Sequence, residues 1–226
     1  MRQDRIIFEG LVGADETGKG GPNDPIQVSL ARLRQLATHE IGHAIGLQHN
    51  FAASSYGRAS VMDYPAPLIT ITDGQFDLSD AYARGVGPWD KFAITWLYGT
   101  VSPGAAGQAQ LSSMVDQALA GGLRFVSDDD ARGQDTAQPL GAVWDNGSDP
   151  VAELRHLMEV RRLALSRFGL SSLPAGAPVA DLRRRLVPIY LFHRYQIDAT
   201  AKLVGGVDFT YGVRGDGHEM LLGVEC

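Results

Sequence analysis

The sequence predicts an α+β fold that is predominantly helical, and three observations carry that expectation. Helical apolar periodicity or helix punctuation covers long stretches, about 25–46, 150–168 and 180–203. The segments of strand character are short and scattered, near 5–12, 68–72, 123–126 and 207–211. Gly- and Pro-rich stretches separate these segments without any internal repeat.

Taken in order, Arg5–Val12 reads as a strand or extended segment because Ile6, Ile7 and Phe8 favour a pleated surface. Residues 13–24 are polar and Gly-rich, a loop. Asp24 suits an N-cap and Pro25 the first helical position. From there Ile26, Leu30, Leu33, Leu36, Ala37, Ile41, Ala44 and Ile45 form an apolar stripe up to Gly46, predicting a helix over about 25–46. Residues 50–75 are irregular, and Asp77 is expected to cap a short helix to Arg84. Gly87-Pro88 opens a helix to Tyr98, stopped by Gly99. Residues 100–109 are a boundary, followed by a helix at about 112–120 and an acidic loop at 127–149. Asp149-Pro150 begins a helix that reaches Phe168. The long helix from 180 to Leu203 should kink or split at Pro188, which lacks an amide N–H.

At 226 residues the chain can bury a substantial core in one large domain or two small ones. Apolar content of 44% and charged content of 20% describe an ordinary globular composition. A net charge of −6 disfavours nucleic acid or an anionic membrane as the main partner. No apolar run reaches the length of a membrane span. The single cysteine, Cys226, excludes an internal disulfide. The opening Met-Arg-Gln-Asp-Arg is not a signal peptide.

The chemistry concentrates in Thr38-His39-Glu40-Ile41-Gly42-His43-Ala44-Ile45-Gly46-Leu47-Gln48-His49-Asn50. Positions four apart share a helix face, so His39 and His43 can offer two imidazoles to one ion. Glu40 stands about 100° further round, able to reach a metal-held water without being a ligand. Gly46 can adopt the positive φ that ends a helix, returning His49 as the third ligand. Three histidines and a water make the open tetrahedral site of a catalytic zinc. From this chain's own His, Glu and Gly frequencies, the short His-Glu-x-x-His pattern arises by chance in roughly one such chain in two hundred. With Gly46 and His49 added the odds fall to roughly one in a hundred thousand. That rarity sets a zinc site well ahead of an exposed helix with histidines on its polar face.

Eleven residues after His49 begins Ser60-Val61-Met62-Asp63-Tyr64, which puts Met62 thirteen residues after it. With the long histidine motif, this resembles the metzincin clan of zinc metalloproteases. The resemblance implies that Met62 packs beneath the three ligands as a hydrophobic base. It also implies that Tyr64 can ligate resting zinc and swing to stabilise the tetrahedral intermediate, as in the astacin-like and serralysin-like branches. Asn50 departs from the Glu, Pro, Asp or Ser that marks the familiar branches after the third histidine. Those motifs, together with Gly87-Pro88-Trp89-Asp90-Lys91 and Tyr195-Gln196 to Gly205-Gly206, are similar to large bacterial zinc-dependent metalloproteases of the envelope.

The resemblance implies a truncated metzincin-type zinc core over 1–100, its upper sheet incomplete, followed by a mostly helical region over 101–226 that could pack with it as one unit. It further implies a zinc cofactor, a protein or peptide substrate, a periplasmic or secreted setting, and flanking domains of a longer protein. Glu40 is placed to be the general base, and Asp63 and Asp90 are the two candidates for orienting a ligand imidazole. The competing reading is a zinc-retaining binding or scaffold module without peptidase activity. A zinc amidase or deformylase shares the short motif but has no use for the 60–64 turn. His156, His193 and His218-Glu219 are set aside as surface, packed or loop residues. The aspartates of 127–149 lack the spacing of an EF-hand loop, so solvated charge is preferred to calcium binding.

Overall fold

The computed structural model describes residues 2–133, 135–217 and 221–223. Among them are eight α-helices: α1 (Arg2–Val12), α2 (Pro25–Ala44), α3 (Pro88–Tyr98), α4 (Ala105–Ala120), α5 (Asp128–Ala131), α6 (Pro150–Arg167), α7 (Leu182–Tyr190) and α8 (Arg194–Ala201). Two small antiparallel sheets complete the fold, β1 (Thr70–Thr72) with β2 (Gln75–Asp77) and β3 (Val207–Phe209) with β4 (Leu221–Gly223). The α+β, helix-dominated expectation therefore holds. His218-Glu219 and Cys226 lie outside the described residues.

Several elements differ from expectation. The first segment is a helix, not a strand. Phe8 and Leu11 of α1 are buried against Val28 of α2, Val160 of α6 and Ile189 of α7. Glu9, also buried, forms an ion pair with Arg185 of α7. Tertiary partners on one helical face thus overrule the β preference of Ile6 and Ile7. Residues 77–84 form no helix: the Asp77 carboxylate accepts the Ser79 N–H at 2.8 Å, and Leu78, Ala81 and Tyr82 enter the core from irregular backbone. Helix α4 begins at Ala105, inside the expected boundary. Segment 123–126 carries no regular secondary structure and, among the described residues, belongs to neither sheet. The acidic loop contains the one-turn helix α5. The long C-terminal helix does divide, yet Pro188 stays within α7 and the break falls at 191–193. Asp73-Gly74, both at positive φ, turn β1 into β2 as a two-residue hairpin.

Helix α2 begins as expected. The buried Asp24 carboxylate accepts the Ile26 N–H at 2.9 Å, and also those of Gly18 and Gly20, with Pro25 at the first position. Its buried face is not the apolar stripe, however. Val28, Ser29, Gln35, His39 and Gly42 point inward, whereas Ile26, Leu33 and Ile41 stand 38%, 40% and 62% exposed. The inward face is mixed, with Val28 in the hydrophobic core and Gln35 and His39 bonded to the Val61 carbonyl.

Candidate metal centre

The C-terminus of α2 turns where the sequence places it. Gly46 has φ +92°. Its N–H donates to the His43 carbonyl at 2.9 Å, and that of Leu47 to the Gly42 carbonyl at 3.0 Å. These two bonds make a Schellman end, which an L side chain at Gly46 would strain. Tyr98 of α3 braces the corner by donating to the Ile45 carbonyl at 2.5 Å. The chain then runs back so that His49 faces the two helix histidines.

The three rings converge through their Nε2 atoms. His43 Nε2 lies 3.1 Å from His39 Nε2 and 3.1 Å from His49 Nε2. Each Nδ1 faces an acceptor: the Val61 carbonyl at 2.7 Å from His39, the Leu47 carbonyl at 2.9 Å from His43, and Asp128 Oδ2 at 2.6 Å from His49. Carbonyl and carboxylate oxygens only accept, so each Nδ1 carries the proton and each Nε2 presents a lone pair. Three lone pairs at such spacing repel unless a cation lies between them. Burial, reinforced by the neighbouring rings, holds His39 below the ordinary histidine pKa and so keeps it neutral. The donor set fits zinc: three neutral imidazoles, with no fourth His or Cys joining them among the described residues.

Residues 60–64 lie beneath this cluster. Met62 is wholly buried, packed with Leu47 and Val61, and its Sδ presses on Gly42 between the two helix ligands. Its carbonyl accepts the Asn50 N–H at 3.0 Å, which ties the turn to the residue after His49. Asp63 and Asp90 do not orient a ligand ring, and here expectation is corrected. Buried Asp90 accepts from the Ser60 hydroxyl (2.6 Å) and from the N–H groups of Val61 (2.9 Å) and Gly87 (2.7 Å). It thus holds the backbone whose Val61 carbonyl receives His39. Asp63 accepts from the N–H groups of Ser54 and Tyr64 and shapes the turn. The carboxylate that does meet a ligand is Asp128, which sequence reasoning missed. It lies 79 residues from its partner, and no local spacing signals it.

Tyr64 stands beside the metal cluster. Its ring stacks on His39 with centroids 5.1 Å apart and on Trp144 at 5.4 Å, and lies 4.8 Å from that of His49. Glu40 is exposed on α2 directly after His39, and its charge acts on that ring. The structure therefore brings His39, His43 and His49 together, with the Tyr64 ring stacked on His39, Met62 packed against Gly42 of the same helix, Gly46 at the corner and Glu40 exposed next to His39. Of the other described histidines, His156 bonds the Ile69 carbonyl at 2.6 Å, and His193 occupies the N-cap position of α8 without a side-chain capping bond; neither joins the cluster. Beside the Gly46–Gln48 corner lies a cavity of about 940 Å³, walled largely by Trp89, Phe92, Trp96, Leu111, Phe125 and Tyr211.

No helix among the described residues is long and apolar enough to cross a membrane. A family model described as Met-zincin matches residues 21–222. Neither the curated proteins nor the solved structures contain a match.

Proposed function

That the chain belongs to the Met-zincin family is the premise from which we propose its function: a zinc-dependent endopeptidase with Glu40 as general base. The observation that carries this reading is the convergence of three Nε2 lone pairs with their Nδ1 protons all engaged. Zinc held there by His39, His43 and His49 would supply Lewis acidity, acidifying water and polarising the scissile carbonyl.

The protein's own groups do the rest. Glu40 takes a proton from the attacking water and returns it to the leaving amine. Tyr64, stacked on His39, donates its phenolic proton as a hydrogen bond to the developing oxyanion. Met62 keeps the ligand rings on a dry, close-packed base. Peptide side chains next to the scissile bond have an apolar place to go in the Trp89–Trp96 cavity. A purely structural zinc site has no need of a base beside the metal, which favours the enzyme over a binding module. A cell-envelope or secreted setting belongs to this proposal and rests on resemblance alone.

Zinc content and cleavage of a quenched-peptide library, measured together on the wild type and Glu40→Gln, test the reading. Zinc in both proteins with cleavage in the wild type alone is the expected result. A wild type that takes up no zinc, or a zinc-loaded Glu40→Gln that still cleaves at the wild-type rate, overturns it.

A further inference from the structure

His49 is held from a part of the chain that the histidine motif does not reach. Its Nδ1 lies 2.6 Å from Asp128 Oδ2, and the other oxygen of that carboxylate lies 2.6 Å from Nε of Arg132. His39 and His43 have only neutral backbone carbonyls behind them. A carboxylate makes a shorter, charge-assisted bond. Behind a ligating imidazole, such an acceptor fixes the tautomer and ring orientation and raises the basicity of the ligand nitrogen.

Asp128 is delivered to this place by Asn50, the residue after His49. Asn50 is wholly buried. Its amide donates to the Arg124 carbonyl at 2.9 Å, and its Oδ1 accepts the Val126 N–H at 3.2 Å. The Phe51 N–H adds a bond to the Val126 carbonyl at 2.9 Å. Segment 124–126 is thereby pinned against 50–51, and Asp128 follows two residues later at the start of α5. Arg132, one turn on, fixes the second carboxylate oxygen while its guanidinium lies 4.9 Å from the Tyr64 ring centre.

We propose that Asp128 is a positioning residue for the metal ligand His49, held in place by Asn50 and Arg132, and that it sets the zinc affinity of the centre. The inference rests on the metal reading above. It makes zinc retention depend on a segment far downstream of the histidine motif.

The test is the zinc dissociation constant of the full chain, measured by chelator competition for wild type, Asp128→Ala, Asp128→Asn and Asp129→Asn. Asp128→Ala is expected to weaken zinc roughly 10- to 100-fold. Asp128→Asn should lose less, because its amide oxygen still accepts the Nδ1 proton without the charge. Asp129 is exposed and bonds no ligand, so Asp129→Asn should stay within about twofold, as a screened surface charge does. Wild-type affinity in Asp128→Ala, or an equal loss in Asp129→Asn, overturns the proposal. If Asp128→Ala melts without a transition, the imidazole NMR signals of the metal-free wild type and Asp128→Asn decide. A His49 Nδ1 proton further downfield in the wild type supports it, and identical signals refute it. A wild type without zinc fails the metal reading itself, whereas zinc bound equally with and without Asp128 fails this inference alone.

Discussion

A β-carbon placed on Gly42 would lie 2.2 Å from Sδ of Met62 and 3.3 Å from its Cε. Gly42 sits in the last turn of α2 between His39 and His43, so the methionine occupies the space a side chain would need. Met62 cannot easily retreat, since it is fully buried and its backbone is bonded to Ser60 and Asn50. The absence of a side chain at Gly42 is what lets the turn at 60–64 approach the underside of the ligand helix.

Gly42→Ala is therefore expected to destabilise the protein despite a better helix former. Alanine gains at most about 1 kcal/mol of helix propensity, whereas overpacking a closed core costs about 1–3 kcal/mol. Thermal melting of the zinc-loaded protein should show a lower Tm, together with weaker zinc retention. A variant as stable as the wild type would mean that the sulfur is free to move.

Tyr64→Phe separates the phenol from the ring. The aromatic stack with His39 and Trp144 survives the change, so zinc content and Tm should hold. Loss of one oxyanion donor should lower kcat on the order of 10²-fold with little change in KM. Steady-state kinetics showing a KM effect alone would assign Tyr64 to substrate binding instead.

Glu40→Gln preserves shape and removes the base. General-base catalysis is worth on the order of 10² to 10⁴ in rate, and a loss in that range is expected in single-turnover peptide hydrolysis. Glu40 is exposed and ligates nothing in the cluster, so zinc should remain stoichiometric by metal analysis. Loss of the metal along with the rate would show that Glu40 supports the site rather than the reaction.

The histidine cluster was legible because it is local: His39, His43 and His49 span eleven residues, and Gly46 announces the turn between them. The ends of α2 and α6 were legible for the same reason, through Asp24-Pro25 and Asp149-Pro150. What escaped depends on partners distant in sequence. Ile6-Ile7-Phe8 became helical because α2, α6 and α7 offer a helix-shaped contact. The stripe Ile26–Leu33–Ile41 marks the helix but not its buried face, because the inward positions belong to Gln35, His39 and Gly42. Asp128 looked like one charge among several in a loop, and only the docking of 124–126 on Asn50 shows where it points.

A pair of buried carboxyls predicts a pH dependence of stability. Asp63 and Asp145 are both buried, and Ser54 bridges them, its N–H donating to Asp63 at 2.7 Å and its hydroxyl to Asp145 at 3.2 Å. Burial pushes Asp145 up to about 6 and, with the charge of Asp145 added, holds Asp63 well above the ordinary carboxylate range. Raising Asp145 from 3.8 to about 6 makes its ionisation in the fold cost about 3 kcal/mol. The native state therefore binds more protons than the unfolded chain between these values. The pair's contribution is fully present below about pH 4 and is lost as pH rises through 6, with Asp63 extending the window upward. Asp145→Asn keeps an acceptor for Ser54 and removes the charge. It also removes a favourable neighbour of half-buried Lys202, which offsets part of the gain. The Tm difference between Asp145→Asn and wild type should accordingly be near zero at pH 4 and positive at pH 8, equivalent to on the order of 1 kcal/mol or more. Parallel Tm profiles across that range would show that the two carboxyls do not share their burial cost in this way.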